Sequence, residues 1–368
     1  MSSKFALNAV TYRALVTSVP SRIARVFFFF SILICSAAEA DTPPSPRAKA
    51  IASSIAKFRT SHPFSGEILV ADRDGLVFAE RYKVSSRQEA VYPYASLSKT
   101  FIATAILQFV EKGSIKLENT IAELLPEAGS AKTPWAKQIT IKQLLSHTSG
   151  LSEYLSHPTF PLFYKERQTS ASMWKLIAEG KQETPPGMHY AYRGTNYQLL
   201  GLILEAVGKK PLREILQGNI FTPVGMTHTE LAGGFEDELV TAGKLPPGAS
   251  KEDRINFSSA WAEGAVIGTA SDLQKFLHAL FFTKTLLKES TLATMLHGEI
   301  EKPGQKEWVG LGIFSAQEAS PPRTLYFHSG AISHYRCEFA VDSQTGKLVI
   351  ILSNSPDWPI HALVRKLL

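Results

Sequence analysis

The chain has 368 residues, of which 44% are hydrophobic and 20% charged, and its formal net charge is +6 at pH 7. These values are typical of a globular protein and exclude a disordered or fibrous one. The positive charge does not indicate nucleic-acid binding, because the lysines and arginines form neither a cluster nor a stripe along one helix face. We therefore expect no nucleic-acid partner.

The first 40 residues have a composition of their own. Three arginines precede an apolar run of 13 residues, Val26 to Ala38, which is followed by the small-residue pattern Ala38-Glu39-Ala40. This order is typical of a secretory signal peptide. It predicts a leader over residues 1–40, a proline-rich linker over residues 41–47, and export to the periplasm or the extracellular space.

Two alternatives to a cleaved leader remain open. The apolar run could stay as an uncleaved N-terminal anchor, although a spanning helix needs about 18 apolar residues. A lipoprotein formed through Cys35 is disfavoured, because the bulky Ile34 stands directly before that cysteine. No other segment is long and apolar enough to cross a membrane, so we expect no stable span once the leader is removed.

The remaining cysteine of the mature chain is Cys337, so no internal disulfide is expected. It lies in the segment HYRCEFAVD, which predicts a strand. We expect a buried apolar side chain and not a nucleophile, because nothing near it in the sequence would lower its pKa.

The mature chain begins with a predicted helix over residues 48–60, where apolar residues recur at helical spacing. Two short apolar runs follow, over residues 66–72 and 76–82. The dipeptide Asp74-Gly75 between them predicts a β-hairpin. Ser98 to Glu111 predicts a long helix that is apolar enough to be buried.

The middle of the chain, roughly residues 115–305, predicts helices among many turns, and the last 60 residues predict strands. The clearest helical patches are Tyr197–Val207, Asp272–Leu280 and Thr291–Leu296. The strands are WVGLGIF, TLYFHSG, HYRCEFAVD and KLVIILSNS, before a C-terminal helix over Trp358–Leu368. We therefore predict one α+β domain over residues 48–368. Its mainly antiparallel sheet is formed by both chain ends and flanked by helices, with the mostly helical region inserted.

Several common catalytic motifs are absent. The sequence contains no G-x-S-x-G, H-E-x-x-H, C-x-x-C, P-loop or G-x-G-x-x-G pattern. Motif support is therefore lacking for α/β-hydrolases, zinc metalloproteases, zinc-ribbon or redox proteins and nucleotide enzymes. We expect neither a metal nor another cofactor.

The pattern S-x-x-K occurs three times, starting at Ser54, Ser96 and Ser172. The tetrapeptide is too short to decide anything by itself. The first and third copies lie in helical segments with polar faces, where a solvated serine and lysine are the ordinary outcome. Ser96 instead precedes TFIATAILQFV, whose apolar character predicts burial, so its serine and lysine would be held inside the fold.

This placement would make Ser96 a nucleophile. Residues three apart on a helix share a face, so Lys99 can reach Ser96. The free N–H groups and positive dipole at a helix N-terminus favour a developing alkoxide. The same field and burial disfavour an ammonium, so we expect a lowered pKa for Lys99 and a neutral amine that accepts the serine proton.

Two further segments carry candidate residues, PPGMHYAYRGTNYQLLG at 185–201 and FHSGAI at 327–332. Together with ASLSKTF around Ser96, LLSHTSGL at 144–151 and EGAVIGTASDLQKF at 263–276, they resemble the serine β-lactamase and penicillin-binding-protein superfamily. Within it, the chain is similar to class C β-lactamases, to DD-carboxypeptidases with a His-x-Gly third motif and to related esterases. The likeness runs from about residue 50 to the C-terminus.

The resemblance implies a β-lactamase/transpeptidase-like fold and a role for each matching residue. Ser96 matches the serine that is acylated, and Lys99 matches the lysine of the same motif. Tyr192 is similar to the tyrosine of the family's Tyr-x-Asn motif, where a phenol near the lysine can act as base or as leaving-group acid.

The third motif of the family resembles His328-Ser329-Gly330. Its strand would border the cleft and pair with an extended substrate. By the same analogy, the backbone N–H groups of Ser96 and Ala331 would form the oxyanion hole. His147, in LLSHTSGL, is expected to hold its loop.

One position departs from the family. The asparagine of Tyr-x-Asn, which helps to bind the substrate amide and to orient the lysine, is Gly194 here. Asn196 is near in sequence, but its backbone position differs, so we do not expect it to substitute. The loss puts β-lactam and peptide turnover in doubt more than ester hydrolysis. A neutral imidazole at His328 points the same way, because it holds a substrate carboxylate less well than a lysine.

These observations predict an exported serine hydrolase that forms an acyl-enzyme on Ser96. Its substrate, a small molecule or a peptide, would be an ester, a D-amino-acid peptide or a β-lactam-like amide. The alternative is a non-catalytic relative that binds cell-wall peptides without turnover, which Gly194 favours and the intact Ser96, Lys99 and Tyr192 oppose.

Overall fold

An eight-stranded antiparallel sheet forms the centre of the computed structural model, which describes residues 45–84, 90–234, 240, 256–356 and 358–368. Its strand order is β2-β1-β11-β10-β9-β8-β7-β6, and β3, β5 and β4 form a second, small sheet. The strands are β1 Gly66–Asp72, β2 Gly75–Tyr82, β3 Tyr92–Pro93, β4 Glu230–Leu231, β5 Val266–Gly268, β6 Ile300–Glu301, β7 Glu307–Val309, β8 Phe314–Ala319, β9 Pro322–Ile332, β10 Tyr335–Asp342 and β11 Leu348–Ser353.

The two ends of the chain meet in the large sheet. β1 pairs with β11 along its length, from Gly66 opposite Ser353 to Ala71 opposite Leu348. Cross-strand pairing of residues so distant in sequence closes the domain and fixes the register of the strands that follow. The predicted α+β fold, with a mainly antiparallel sheet built from both termini, is confirmed.

The helices occupy the intervals between the strands. They are α1 Pro46–Ser61, α2 Ser98–Glu111, α3 Ile121–Leu124, α4 Ile141–Leu145, α5 Phe160–Phe163, α6 Ser170–Ala178, α7 Gly194–Gly208, α8 Leu212–Leu216, α9 Phe257–Gly264, α10 Ala270–Phe281, α11 Glu289–Leu296 and α12 Ile360–Leu367. A π-helical turn, Gln217–Phe221, continues α8. Single 3₁₀ turns lie at Ala95–Leu97, Pro126–Ala128, Ser130–Lys132, Pro134–Lys137 and Tyr154–Ser156.

Both faces of the sheet are covered, which explains why β11 is apolar throughout. Leu348, Ile350 and Leu352 face the large core that contains α2 and α10, whereas Val349 and Ile351 face a smaller core with α1 and α12. A strand buried on both faces shows a continuous apolar run instead of alternation. Helices therefore pack on both faces of the sheet. At one end of the sheet, β9 and β10 contact the turn at the start of α2.

The helix α2 is the buried central helix of the helical region. Ten of its residues, Ser98 to Leu107, are buried. Phe101 stacks on Phe276 of α10 with ring centroids 3.8 Å apart. Burial on every side explains the uniform apolar character that the sequence shows, and it fixes the N-terminus of α2 rigidly in the interior.

Most predicted elements are confirmed, with two differences. The segment WVGLGIF is not one strand: it contains the end of β7, a turn and the start of β8, because Gly310 and Gly312 interrupt it and Gly312 has a positive φ of 80°. Helix α1 begins at Pro46, inside the predicted linker, since Ser45 accepts a hydrogen bond from the Ala48 N–H and caps it.

The predicted leader, residues 1–40, lies outside the described residues. Within the described ranges, none of the helices combines the length and the apolar character that a membrane span requires.

Candidate active site

Ser96 lies in a tight turn between a short strand and the central helix. β3 pairs with β5, and the 3₁₀ turn Ala95–Leu97 leads directly into α2. Ala95 has a φ of +48°, in the left-handed region that residues other than glycine rarely occupy. Such backbone strain is concentrated at functional sites, and here it falls directly before Ser96.

Burial of the lysine distinguishes this S-x-x-K copy from the other two. Lys99 is fully buried, and its Nζ lies 3.2 Å from Ser96 Oγ. Lys57 and Lys175, the lysines of the other copies, are exposed on their helices. The structure therefore brings the predicted serine and lysine together in the interior.

Glu263, which sequence reasoning missed, completes the surroundings of the lysine. Its Oε2 lies 2.6 Å from Lys99 Nζ, and its backbone carbonyl oxygen lies 2.7 Å from the same atom. Glu263 is near the C-terminal end of α9, where helix carbonyls lack intrahelical partners and can accept hydrogen bonds from a lysine. Lys99 thus donates to a carboxylate, a carbonyl and the serine hydroxyl together.

This contact corrects the expected charge of Lys99. Burial lowers the pKa of Lys99, but the Glu263 carboxylate and, after it, Tyr192 outweigh burial and hold that pKa above its ordinary value. Burial was foreseen from the apolar helix, whereas the carboxylate partner was not. Lys99 is therefore an ammonium in the resting protein, and not the neutral amine that the sequence predicted.

Tyr192 lies beside the serine and the lysine. Lys99 Nζ lies 5.0 Å from the centroid of its ring, and burial raises the Tyr192 pKa despite the nearby ammonium. The ring stacks on buried His147, with centroids 4.3 Å apart. His147 Nδ1 in turn accepts hydrogen bonds from the Arg193 backbone N–H and the Asn196 amide. These contacts fit the structural role expected for His147.

The strand β9 brings the predicted third motif directly against Ser96. Gly330 lies opposite Cys337 of β10 and faces the turn that carries Ser96. A Cβ atom added to Gly330 would lie 2.9 Å from the Ser96 backbone nitrogen and 2.7 Å from Cys337 Sγ. Only glycine allows this approach of the two backbones.

His328, two positions earlier on β9, is buried and uncharged. Its Nδ1 lies 2.8 Å from the Ser329 carbonyl oxygen, and since a carbonyl can only accept, Nδ1 carries the proton and Nε2 has a free lone pair. Burial, and then the Lys99 ammonium, lower the pKa of His328 to about 3. A neutral imidazole, as anticipated, stands where a cation would be needed to hold a carboxylate strongly.

These groups line one open cavity of about 460 Å³. The predicted residues on its wall are Ser96, Tyr192, His328, Ser329, Gly330 and Ala331. Lys99 joins the site through Ser96 Oγ. In the described part of the chain, no group of three His, Cys, Asp or Glu side chains is arranged to hold a metal ion.

Cys337 also borders this cavity, with the properties expected of it. The side chain is buried, and Sγ lies 2.9 Å from the Tyr94 carbonyl oxygen. Burial raises the pKa of the thiol. The thiolate is therefore strongly disfavoured, and Cys337 is not a competing nucleophile.

Gly194 and Asn196 occupy different environments. Gly194 opens α7, and its backbone N–H donates to Glu153 Oε2 at 2.6 Å. Asn196 Oδ1 accepts from Ser149 Oγ at 2.6 Å, while its amide binds His147. Asn196 is thus committed to the His147 loop and does not replace the family's asparagine beside Lys99.

The family model for beta-lactamases matches residues 54–367, nearly the whole described domain. The chain belongs to the beta-lactamase family. Among curated relatives, it is 29% identical over 232 residues to penicillin-binding protein 4 of Amycolatopsis lactamdurans. That match covers 59% of this chain and about 60% of the relative's length.

Solved structures share the fold. The D-amino acid amidase of Ochrobactrum anthropi SV3, complexed with D-phenylalanine, superposes with a TM-score of 0.72 at 22% identity, covering 88% of this chain and 98% of that one. EstCE1, a hydrolase with promiscuous acyltransferase activity, gives a TM-score of 0.71 at 20% identity and covers 87% and 98%. At these identities, the likeness establishes the fold alone.

Gly330→Ala tests the close approach of β9 to Ser96. The added methyl group must displace either the Ser96 turn or β10, which we expect to cost about 1–3 kcal/mol of unfolding free energy. It should also slow labelling of Ser96 by a fluorophosphonate by about 100-fold, since the backbone donors around the serine move.

The matched control is Gly218→Ala, because a Cβ at Gly218 meets nothing within 4 Å. Urea unfolding and the labelling rate should both be unchanged in that variant. A Gly330→Ala protein that is labelled as fast as the wild type would contradict a tight β9–Ser96 contact.

Proposed function

We propose that this protein is an exported serine hydrolase that works through an acyl-enzyme on Ser96. The observation that carries the proposal is the contact of Ser96 Oγ with Lys99 Nζ at 3.2 Å, beside the Tyr192 ring and on the wall of an open cavity. A serine hydroxyl in contact with a lysine that can take part in moving its proton is the arrangement of an activated nucleophile.

In the proposed reaction, Ser96 Oγ attacks the carbonyl carbon of the substrate and loses its proton to the hydrogen-bonded side chains around it. The carbonyl oxygen becomes negative and is held by the backbone N–H groups of Ser96 and Ala331. The leaving group departs with a proton, for which we propose Tyr192 as donor. A water molecule then adds to the acyl-serine, and the acid product leaves with Ser96 restored.

Among the candidate substrates, we propose esters first. Gly194 provides no side chain to bind a substrate amide. His328 is neutral, so a substrate carboxylate would depend on Lys302 and Arg336 on the cavity wall. Tyr190 and Phe314 supply aromatic walls for an acyl or alcohol group. EstCE1 is a hydrolase with promiscuous acyltransferase activity, while the amidase and the penicillin-binding relative support testing D-amino-acid amides and β-lactams as well.

Fluorophosphonate labelling combined with a substrate panel tests the proposal. We expect the wild type to be labelled at Ser96 and to hydrolyse short-chain p-nitrophenyl esters, with weaker turnover of a D-Ala-D-Ala peptide or a chromogenic cephalosporin. Ser96→Ala should lose labelling and all turnover. Ser172→Ala, in another S-x-x-K copy, is the matched control and should retain both.

Absence of labelling in the folded wild type would contradict the hydrolase proposal. If such a protein still bound cell-wall peptides, the non-catalytic alternative would replace it.

The exported location is tested at the N-terminus. A signal peptide cleaved after the pattern Ala38-Glu39-Ala40 gives a mature chain that begins at Asp41, and N-terminal sequencing of protein from the periplasm or medium measures this. Ala40→Arg should block cleavage. A wild-type protein recovered only from membranes with residues 1–40 intact would instead establish the uncleaved anchor.

A further inference from the structure

The carboxyl group of Glu263 lies in the space that a side chain at position 194 would occupy. A Cβ atom added to Gly194 would lie 2.9 Å from Tyr154 Cε1, 3.1 Å from Glu263 Cδ and 3.2 Å from Glu263 Oε2. The same Oε2 is the atom that binds Lys99 Nζ at 2.6 Å. The Glu263 carboxylate can therefore lie beside Lys99 because position 194 has no side chain.

The backbone that carries Glu263 is held in an unusual conformation. Trp261, two residues earlier, has a φ of +25° and breaks the regular geometry of α9. Gly201 of α7 permits this approach, since a Cβ there would lie 2.5 Å from the Ala262 Cβ. Strain of this kind persists only where the surroundings fix it, and here it delivers both the carbonyl and the carboxylate of Glu263 to one nitrogen.

The second oxygen of the carboxylate is also fixed. Tyr154 Oη donates to Glu263 Oε1 at 3.2 Å, and Gln198, on α7, donates to Tyr154 Oη at 3.0 Å. Each oxygen of Glu263 thus has a hydrogen-bond donor from a different element. The carboxylate cannot rotate away from Lys99 without breaking this network.

This arrangement leaves Lys99 unable to accept a proton unless it first gives one away. An ammonium has three N–H donors and no lone pair, and Lys99 points its donors at Glu263 Oε2, the Glu263 carbonyl and Ser96 Oγ. The Glu263 carboxylate is the group in contact with Lys99 that can take a proton from it.

We infer that Glu263 is a positioning residue of this site that replaces the family's asparagine at Gly194 and holds the proton released by Ser96. This assignment rests on the proposed function. Lys99 passes one of its own protons to Glu263 Oε2 as the bond from Oγ to the substrate carbon forms, and the Oγ–H bond breaks and delivers its proton to the freed lone pair of Lys99 Nζ. The lysine thus stays an ammonium and the carboxylate becomes a carboxylic acid. When Tyr192 gives its proton to the leaving group, Lys99 returns a proton to the phenol oxygen and Glu263 Oε2 returns one to Lys99, which restores the carboxylate.

The pH dependence of acylation distinguishes a Glu263 that takes a proton from Lys99 from a Glu263 that only packs against it. The wild type should show no rise in acylation rate from a titrating Lys99 between pH 6 and 10. In Glu263→Gln, the strongest charge that holds the proton on Lys99 is lost while burial remains. Its acylation should be about 100-fold slower at pH 7 and should rise with pH as Lys99 becomes neutral. The other titratable groups facing the pair are Glu153, Tyr154, Tyr192, Tyr197, His147 and His328.

A rescue experiment tests the exchange of Gly194 and Glu263 directly. Gly194→Asn alone should slow acylation, because the new side chain collides with the Tyr154 ring and with the carboxylate, and Glu263→Ala alone should slow it by removing the partner of Lys99. The double variant should be at least 10-fold faster than the product of the two single effects predicts, since the asparagine then fills the space of the carboxylate, while its contact with Tyr154 is common to the single and the double variant. Glu299→Gln, which alters the separate Lys142–Glu299 ion pair, is the matched control and should behave as the wild type.

Fluorophosphonate acylation rates from pH 6 to 10, with circular dichroism of each variant, decide the outcome. Equal rates and pH profiles for wild type and Glu263→Gln, or strictly additive effects in the double variant, would overturn the role of Glu263 while leaving the hydrolase proposal intact. A folded wild type that is not labelled would overturn both.

Discussion

A buried ammonium group is costly unless a negative partner and hydrogen-bond acceptors replace its water. Lys99 meets this requirement through Glu263, whose carboxylate and carbonyl both contact Nζ within 2.7 Å. Removing one partner of such a buried pair typically costs about 3–5 kcal/mol. The arrangement of the site follows from this requirement, because each element around Lys99 must either accept a hydrogen bond from its ammonium group or enclose its side chain.

Four elements meet that condition, and a different structural feature positions each of them beside Lys99. α2 is held in the core by its apolar surface and supplies Lys99, with Ser96 in the turn before it. α9 is distorted so that its end reaches the lysine, and α7 begins with a glycine that leaves room for the carboxylate. β9 approaches the same turn through Gly330 and closes the other side of the cavity. The large sheet fixes β9, so the geometry of the cleft depends on pairing between the two ends of the chain.

The sequence predicts much of this because local signals agree with the fold. The apolar α2 identified the buried S-x-x-K copy among three, and the Asp74-Gly75 turn and the apolar β11 located strands correctly. The family pattern placed Tyr192 and the His328 segment, and the structure brings both to Ser96. Family membership and fold are established, whereas the chemical roles of these residues rest on the experiments described.

The local sequence pattern did not predict the contact of Glu263 with Lys99, the short strands β3 and β4, or the turn within WVGLGIF. Glu263 lies 164 residues beyond Lys99, in a segment whose resemblance to the family gave no reason to select a glutamate. One signal was present: a family asparagine replaced by Gly194 leaves a lysine without a partner, and a buried lysine needs one. The two-residue β3 and β4 are too short to produce a periodic pattern, and the WVGLGIF segment reads as a strand until its glycines are recognised as a turn.

The charge on Lys99 is the quantity on which this account depends most directly. It can be measured by NMR titration of protein labelled with ¹³C at the lysine ε-carbons, with the Lys99 signal identified by its loss in Lys99→Arg. We expect this signal to keep the chemical shift of an ammonium from pH 6 to pH 10. A transition to the neutral amine below about pH 8 would contradict it and would restore Lys99 as a base acting alone.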